Sequence, residues 1–147
     1  MTTPTPSQTI GPFWHGLADP ALADLARGEP SRALTGTITD GAGALVTDAC
    51  VELWQPEHRA WGRCATDAAG RFAFTVCVAP AISVAILARG LLLPVWTRVY
   101  FEDTGDALLA SLPPERRATL LARPDGTAWR WDVTLQGRGE TVFLALR

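Results

Sequence analysis

Two histidines, one tyrosine, three cysteines and no lysine are the whole reactive inventory of this chain. His15 closes the aromatic run Phe13-Trp14-His15 and reads as a packed or interface residue, whereas His58, between Glu57 and Arg59, reads as a solvated loop residue. A metal centre of two imidazoles and two phenolates needs a second tyrosine beside Tyr100, and the chain has none. No serine or cysteine stands in a G-x-S-x-G or comparable context, so nothing marks a catalytic nucleophile. Cys50, Cys64 and Cys77 are odd in number, lack C-x-x-C spacing and have no histidine at zinc spacing. They predict buried thiols in a reducing compartment rather than a disulfide framework or a structural zinc. The glycines fall at expected turns and make no phosphate cradle.

The elements that must carry these residues follow from length and pattern. A chain of 147 residues is one domain, long enough for a single core. Its 48% hydrophobic and 19% charged content excludes a disordered chain, and 13 basic against 15 acidic residues exclude a general polyanion binder. All the basic residues are arginine and asparagine is absent, which reflects a GC-rich coding bias. The opening MTTPTPSQTIGPFW has neither a basic nor an apolar leader region and is no secretory signal. The apolar stretch Val76–Trp96 is interrupted by Pro80, Ser83, Arg89, Gly90 and Pro94 and fits a hairpin better than a membrane span. A cytoplasmic protein with no nucleic-acid or membrane partner is the expectation.

Residues 1–16 form a Thr/Pro/Gly-rich N-terminal arm, and 17–147 a single domain. Within it, 18–29 predicts a short helix or helical turn with Asp19 as N-cap, Pro20 at its first position and Gly28 as its stop. From residue 33 the apolar period becomes two. Strands are expected at Leu34–Asp40, Cys50–Gln55, Arg63–Thr66, Arg71–Val78, Ile82–Ala88, Val95–Phe101, across Trp129–Leu135 and at Glu140–Leu146, with a broken helical stretch at 106–123. Pro56, His58 and Trp61 fall in a loop. Trp54, Trp61, Trp129 and Trp131 read as core or interface aromatics. The fold class is all-β, an antiparallel β-sandwich or barrel with short helices in the N-terminal region and at about 106–123.

Four segments in this order, TPSQTIGPFWH (Thr5–His15), LTGTITDGAGALVTDACVELWQ (Leu34–Gln55), ILARGLLLPVWTRVYF (Ile86–Phe101) and WDVTLQGRGETVF (Trp131–Phe143), carry a resemblance. Together they resemble the alpha chains of the two-chain intradiol ring-cleavage dioxygenases that act on protocatechuate. The resemblance implies an intradiol-type β-sandwich and a partner beta chain that holds Fe(III) through two tyrosines and two histidines. It implies no metal and no catalytic residue in this chain. At the positions of the beta chain's H-x-H pair, this sequence has Ala81 and Ser83. Substrate-pocket residues carry over as Thr9, Gly11 and Pro12 from the arm and Arg89 from the ARG turn. The implied reaction joins a catechol acid and O2 at a site shared by both chains. The connections after VELWQ and before the ARG strand, PEHRAW and CVAP, are shorter than in the family.

Physical chemistry is compatible with those positions. Gly11 permits close backbone approach, Pro12 offers a rigid apolar wall, and Arg89 supplies a cation for a substrate carboxylate. A surface ion pair for Arg89 and a plain docking role for the arm are the competing readings. Two further readings of the whole chain are a non-enzymatic β-sandwich that binds protein or carbohydrate through its aromatic surface, and an independent enzyme with an unrecognised site.

Overall fold

The computed structural model describes residues 18–145. Nine strands are formed: β1 Ser31–Thr39, β2 Cys50–Gln55, β3 Ala60–Ala65, β4 Arg71–Cys77, β5 Ala81–Leu87, β6 Val95–Tyr100, β7 Arg123–Asp125, β8 Ala128–Arg130 and β9 Val133–Thr134. They make two sheets, one in the order β4-β1-β8-β7 with β9 also on β1, the other β3-β2-β5-β6. The expected β-sandwich is what forms, because each long strand alternates apolar and polar residues and must hide one face. From the first sheet Leu34, Ile38, Phe72, Phe74 and Val76 point inward; from the second come Val51, Leu53, Ile82, Val84, Ile86 and Val99. Val78, expected on the same face as Phe72 and Phe74, lies beyond the end of β4 and is exposed.

Two devices hold the layers together. Gln55, fully buried at the end of β2, exchanges two 3.0 Å hydrogen bonds with the main chain of Cys77 at the end of β4: its amide donates to the Cys77 carbonyl, and its carbonyl accepts from the Cys77 N–H. One side chain thereby ties the second sheet to the first. Trp131 fills the core between β8 and β9, edge-on to Phe72 at 6.3 Å, and its indole N–H donates to the Thr119 carbonyl at 2.9 Å. Gly36 of β1 makes room for this packing. A Cβ there would overlap the Trp131 carbonyl oxygen and the Phe72 ring.

Local expectations are met in part and corrected in part. The segment 18–29 holds one 3-10 turn, Pro20–Ala23, capped by the Asp19 carboxylate on the Ala21 N–H (2.9 Å). It ends early because Leu25 N–H donates to the Thr75 carbonyl at 2.8 Å and Asp24 takes the next two amides. Trp61 belongs to β3, not to the preceding loop, which is a 3-10 turn over Pro56–His58. The stretch 106–123 divides at Pro113-Pro114 into α1 Ala107–Ser111, α2 Pro114–Arg117 and a 3-10 turn Ala118–Leu120.

The sheets are not purely antiparallel, since β8 and β9 both run parallel to β1. Glu140–Leu146 is not a strand within the described residues. Side-chain hydroxyls interrupt the main-chain pairing there: Thr141 N–H still donates to the Thr134 carbonyl at 2.9 Å, but Thr97 donates its hydroxyl to the Val142 carbonyl at 2.7 Å, Val142 N–H donates to Thr119 Oγ1, and Thr134 N–H donates to Thr141 Oγ1. Only Leu144 keeps a bridge, to Trp96. No described helix is long and apolar enough to cross a membrane.

Candidate functional site

The alternation that buries Ile82, Val84 and Ile86 sends Ala81, Ser83 and Ala85 to the outer face of the second sheet. Register then fixes their neighbours. Trp61, Trp54, Ser83 and Arg98 form one row across β3, β2, β5 and β6, and Arg63, Glu52, Ala85 and Trp96 form the next. Trp54, Trp61 and Trp96 are 43%, 38% and 39% exposed, respectively. They stand over the small residues of β5 and enclose a trough of about 510 Å³. Glu52 is held by Arg63, whose Nε donates at 2.8 Å and whose guanidinium lies over the Trp61 ring at 5.2 Å.

Beside the trough, the positions that the resemblance aligns with a histidine pair carry short side chains, and their cross-strand partners form a different network. Tyr100, opposite Ala81, is buried and donates its hydroxyl to Asp106 Oδ1 at 3.1 Å. Arg98, opposite Ser83, places Nη1 3.6 Å from Asp106 Oδ2. The Leu108 N–H, donating at 2.8 Å, is the chief cause holding the Asp106 carboxyl below the usual carboxylate range, with Tyr100 and Arg98 adding to it. Burial pushes the Tyr100 phenol above its ordinary range. One neutral phenol committed to a carboxylate, with alanine and serine opposite, does not fit a ferric ion that needs two phenolates and two imidazoles. Among the described residues no group of three or more His, Cys, Asp or Glu is placed to hold a metal.

The other candidates lie apart. Arg89 sits in the turn after β5, roughly 20 Å along the strand from Ser83. Its Nε meets Asp48 Oδ2 at 3.2 Å while the side chain stays 73% exposed, at the lip of a polar cleft of about 370 Å³ bordered by Asp40, Asp48 and Gln136. Thr9, Gly11, Pro12 and His15 lie outside the described residues. His58 is exposed at the end of its turn. Cys50 and Cys77 are buried and Cys64 half-buried; burial pushes the Cys50 thiol up to about 11 and raises the other two, so all three stay protonated at neutral pH.

The four tryptophans read together in the sequence divide. Trp131 is core and Trp129 is half-buried against Phe101, while Trp54 and Trp61 face outward. Sequence reasoning passed over Trp96, Arg98 and Asp106. The period of β6 was the available signal: with Val95, Thr97 and Val99 inward, Trp96 and Arg98 must face out.

No family model matches the chain. Among curated proteins it is 35% identical, over 191 aligned residues, to a protocatechuate 3,4-dioxygenase alpha chain of Pseudomonas putida, covering 95% of this chain and 94% of the relative. A protocatechuate 3,4-dioxygenase alpha chain of Burkholderia cepacia is 34% identical, with 97% and 98% covered. Both alignments are longer than the chain, so the relatives carry residues that it lacks. Solved structures agree on the fold. The dioxygenase domain of a carbohydrate-binding fusion from Streptomyces sp. SirexAA-E superposes with a TM-score of 0.60 at 22% identity, over 78% of this chain and 87% of that one. Catechol 1,2-dioxygenase from Pseudomonas arvilla C-1 superposes with a TM-score of 0.56 at 19% identity, over 78% and 55%. A relationship of this identity along nearly the whole length, on an intradiol-dioxygenase β-sandwich, places the chain in the family of protocatechuate 3,4-dioxygenase alpha chains, subunits of ring-cleaving dioxygenases.

Proposed function

We propose that the chain is the iron-free alpha subunit of a heteromeric intradiol dioxygenase. The complex would cleave protocatechuate between its two hydroxyl-bearing carbons, placing both atoms of O2 in 3-carboxy-cis,cis-muconate. The ferric ion belongs to a tyrosine- and histidine-rich beta subunit; this chain contributes pocket wall and assembly surface. Thr9, Gly11 and Pro12 of the arm and Arg89 are the residues proposed to reach the shared pocket, in the cytoplasm. The observation that carries the reading is the full-length relationship to alpha chains, joined to Ala81 and Ser83 where an iron-bearing chain would need imidazoles.

Co-expression with an iron-bearing beta chain tests it. A stable complex should co-purify, consume O2 with protocatechuate and show the visible absorption of a ferric tyrosinate. The chain by itself should bind no stoichiometric iron and consume no O2. Ring cleavage by the isolated chain, or failure to assemble with any iron-bearing chain, would refute the proposal. Deleting residues 2–12 should weaken assembly or raise KM.

A further inference from the structure

The outer face of the second sheet is more than bare surface. Four adjacent strands build a trough whose floor is Ser83 and Ala85 on β5 and whose walls are Trp54 and Trp61 on one side and Trp96 on the other, with Arg98 at one end. Its volume of about 510 Å³ is that of a small-molecule site. The walls rise from β2 and β6, two strand spacings or about 10 Å apart at the backbone. That width admits a single flat ring standing between indoles. An α-helix with its side chains, about 10–12 Å across, would not enter.

One wall is also held in place before anything binds. Arg63, fixed by Glu52, stacks on Trp61, and Trp96 is bridged through its main chain to Leu144, which closes one side of the trough. The Trp61 indole therefore loses little freedom on binding.

Hydrogen-bonding capacity sets the sign of the ligand. Three carboxylates lie near: Glu52 is supplied by Arg63, Asp106 by the Leu108 N–H and the Tyr100 hydroxyl, and Glu57 shares a separate cleft with Arg98 and does not line the trough. The unspent capacity is on the donor side. Arg98 meets Asp106 at 3.6 Å and keeps most of its five N–H groups, and the Ser83 hydroxyl makes no hydrogen bond among the described residues. Indole faces therefore meet an end that donates.

We infer that this trough is a ligand site for a planar aromatic carboxylate, its ring between Trp54 and Trp96 over Ser83–Ala85 and its carboxylate on Arg98. The site is lined by this chain's own residues. In a heteromer it would give the alpha chain a binding role of its own.

The probes are 4-hydroxybenzoate, which lacks the vicinal diol that ring cleavage needs, and its uncharged analogue 4-hydroxybenzamide. The readout is the set of indole N–H resonances of the 15N-labelled full chain. With 4-hydroxybenzoate, three of the six indole signals should shift saturably, and Trp54→Phe, Trp61→Phe and Trp96→Phe should assign them. The amide should bind about tenfold more weakly. Arg98→Gln should erase that preference while the amide still binds, and Ser83→Phe, which fills the floor, should abolish binding of both. If Ser83→Phe fails to fold, Arg98→Gln carries the test by itself. Absence of saturable shifts, shifts confined to other tryptophans, or an unchanged carboxylate preference in Arg98→Gln would overturn the inference. So would binding to the isolated chain that disappears once an iron-bearing chain is bound, which would assign the face to a protein partner. None of these results touches the assembly reading, which co-purification and O2 uptake decide.

Discussion

Asp106 receives the Leu108 N–H as N-cap of α1, the Tyr100 hydroxyl and the charge of Arg98, and these partners favour its ionised form. A carboxyl whose folded pKa is depressed adds stability above its unfolded pKa and loses it as pH falls through the folded value. Asp106→Asn keeps a good N-cap and removes only the charge. The variant should therefore melt below the wild type at neutral pH, and the gap should close on acidification through and below the ordinary carboxylate range; a gap independent of pH would contradict this. Arg89 illustrates the opposite situation. Its side chain is largely in water and already meets Asp48, so a substrate carboxylate would gain about 1 kcal/mol from it. In a reconstituted complex Arg89→Ala should raise KM about fivefold with little change in kcat, and should matter less for a catechol without the carboxylate. Equal losses on both substrates would make Arg89 structural.

Elements are joined here through a few side chains. Gln55→Leu would leave the N–H and carbonyl of Cys77 buried and unpaired, at about 2–4 kcal/mol. Urea unfolding should show that loss as a lower midpoint with an unchanged slope. The period-two pattern revealed β4, β5 and β6 within a residue or two, because one face of each is buried along its whole length and a one-residue slip would expose it. The same pattern carries no information about partners. Nothing in Trp129–Leu135 says that it lies parallel to a strand near the other end of the chain. Residues 140–145 mislead in a different way: their pattern predicts a strand, but the Thr97 and Thr119 hydroxyls meet the main chain at Val142 where a ladder would have to run, and an apolar pattern does not show that. The trough was half legible. Alternation with Val51 and Leu53 sends Trp54 outward, but only the register across β2, β5 and β6 brings it into a row with Ser83 and Arg98.

The molecule as a whole depends on contacts between its two ends. Thr35 of β1 donates to the Trp129 carbonyl 94 positions later, and Trp131 N–H donates back to the Thr35 carbonyl at 2.8 Å. As the chain leaves a ribosome at about 5–20 residues per second, β1 and β4 can pair early while the other edge of β1 stays open for roughly 5–20 s. Such an edge is a template for strands of other nascent chains, and non-local closure of this kind is slow even after release. A chain ended after Asp125 would keep that edge open permanently and should collect in inclusion bodies, whereas one ended after Leu144 should remain in the supernatant. The parallel seating of β8 and β9 on β1 thus makes residues 128–134 a latch, and puts the hazardous interval of this protein's existence before that segment has emerged.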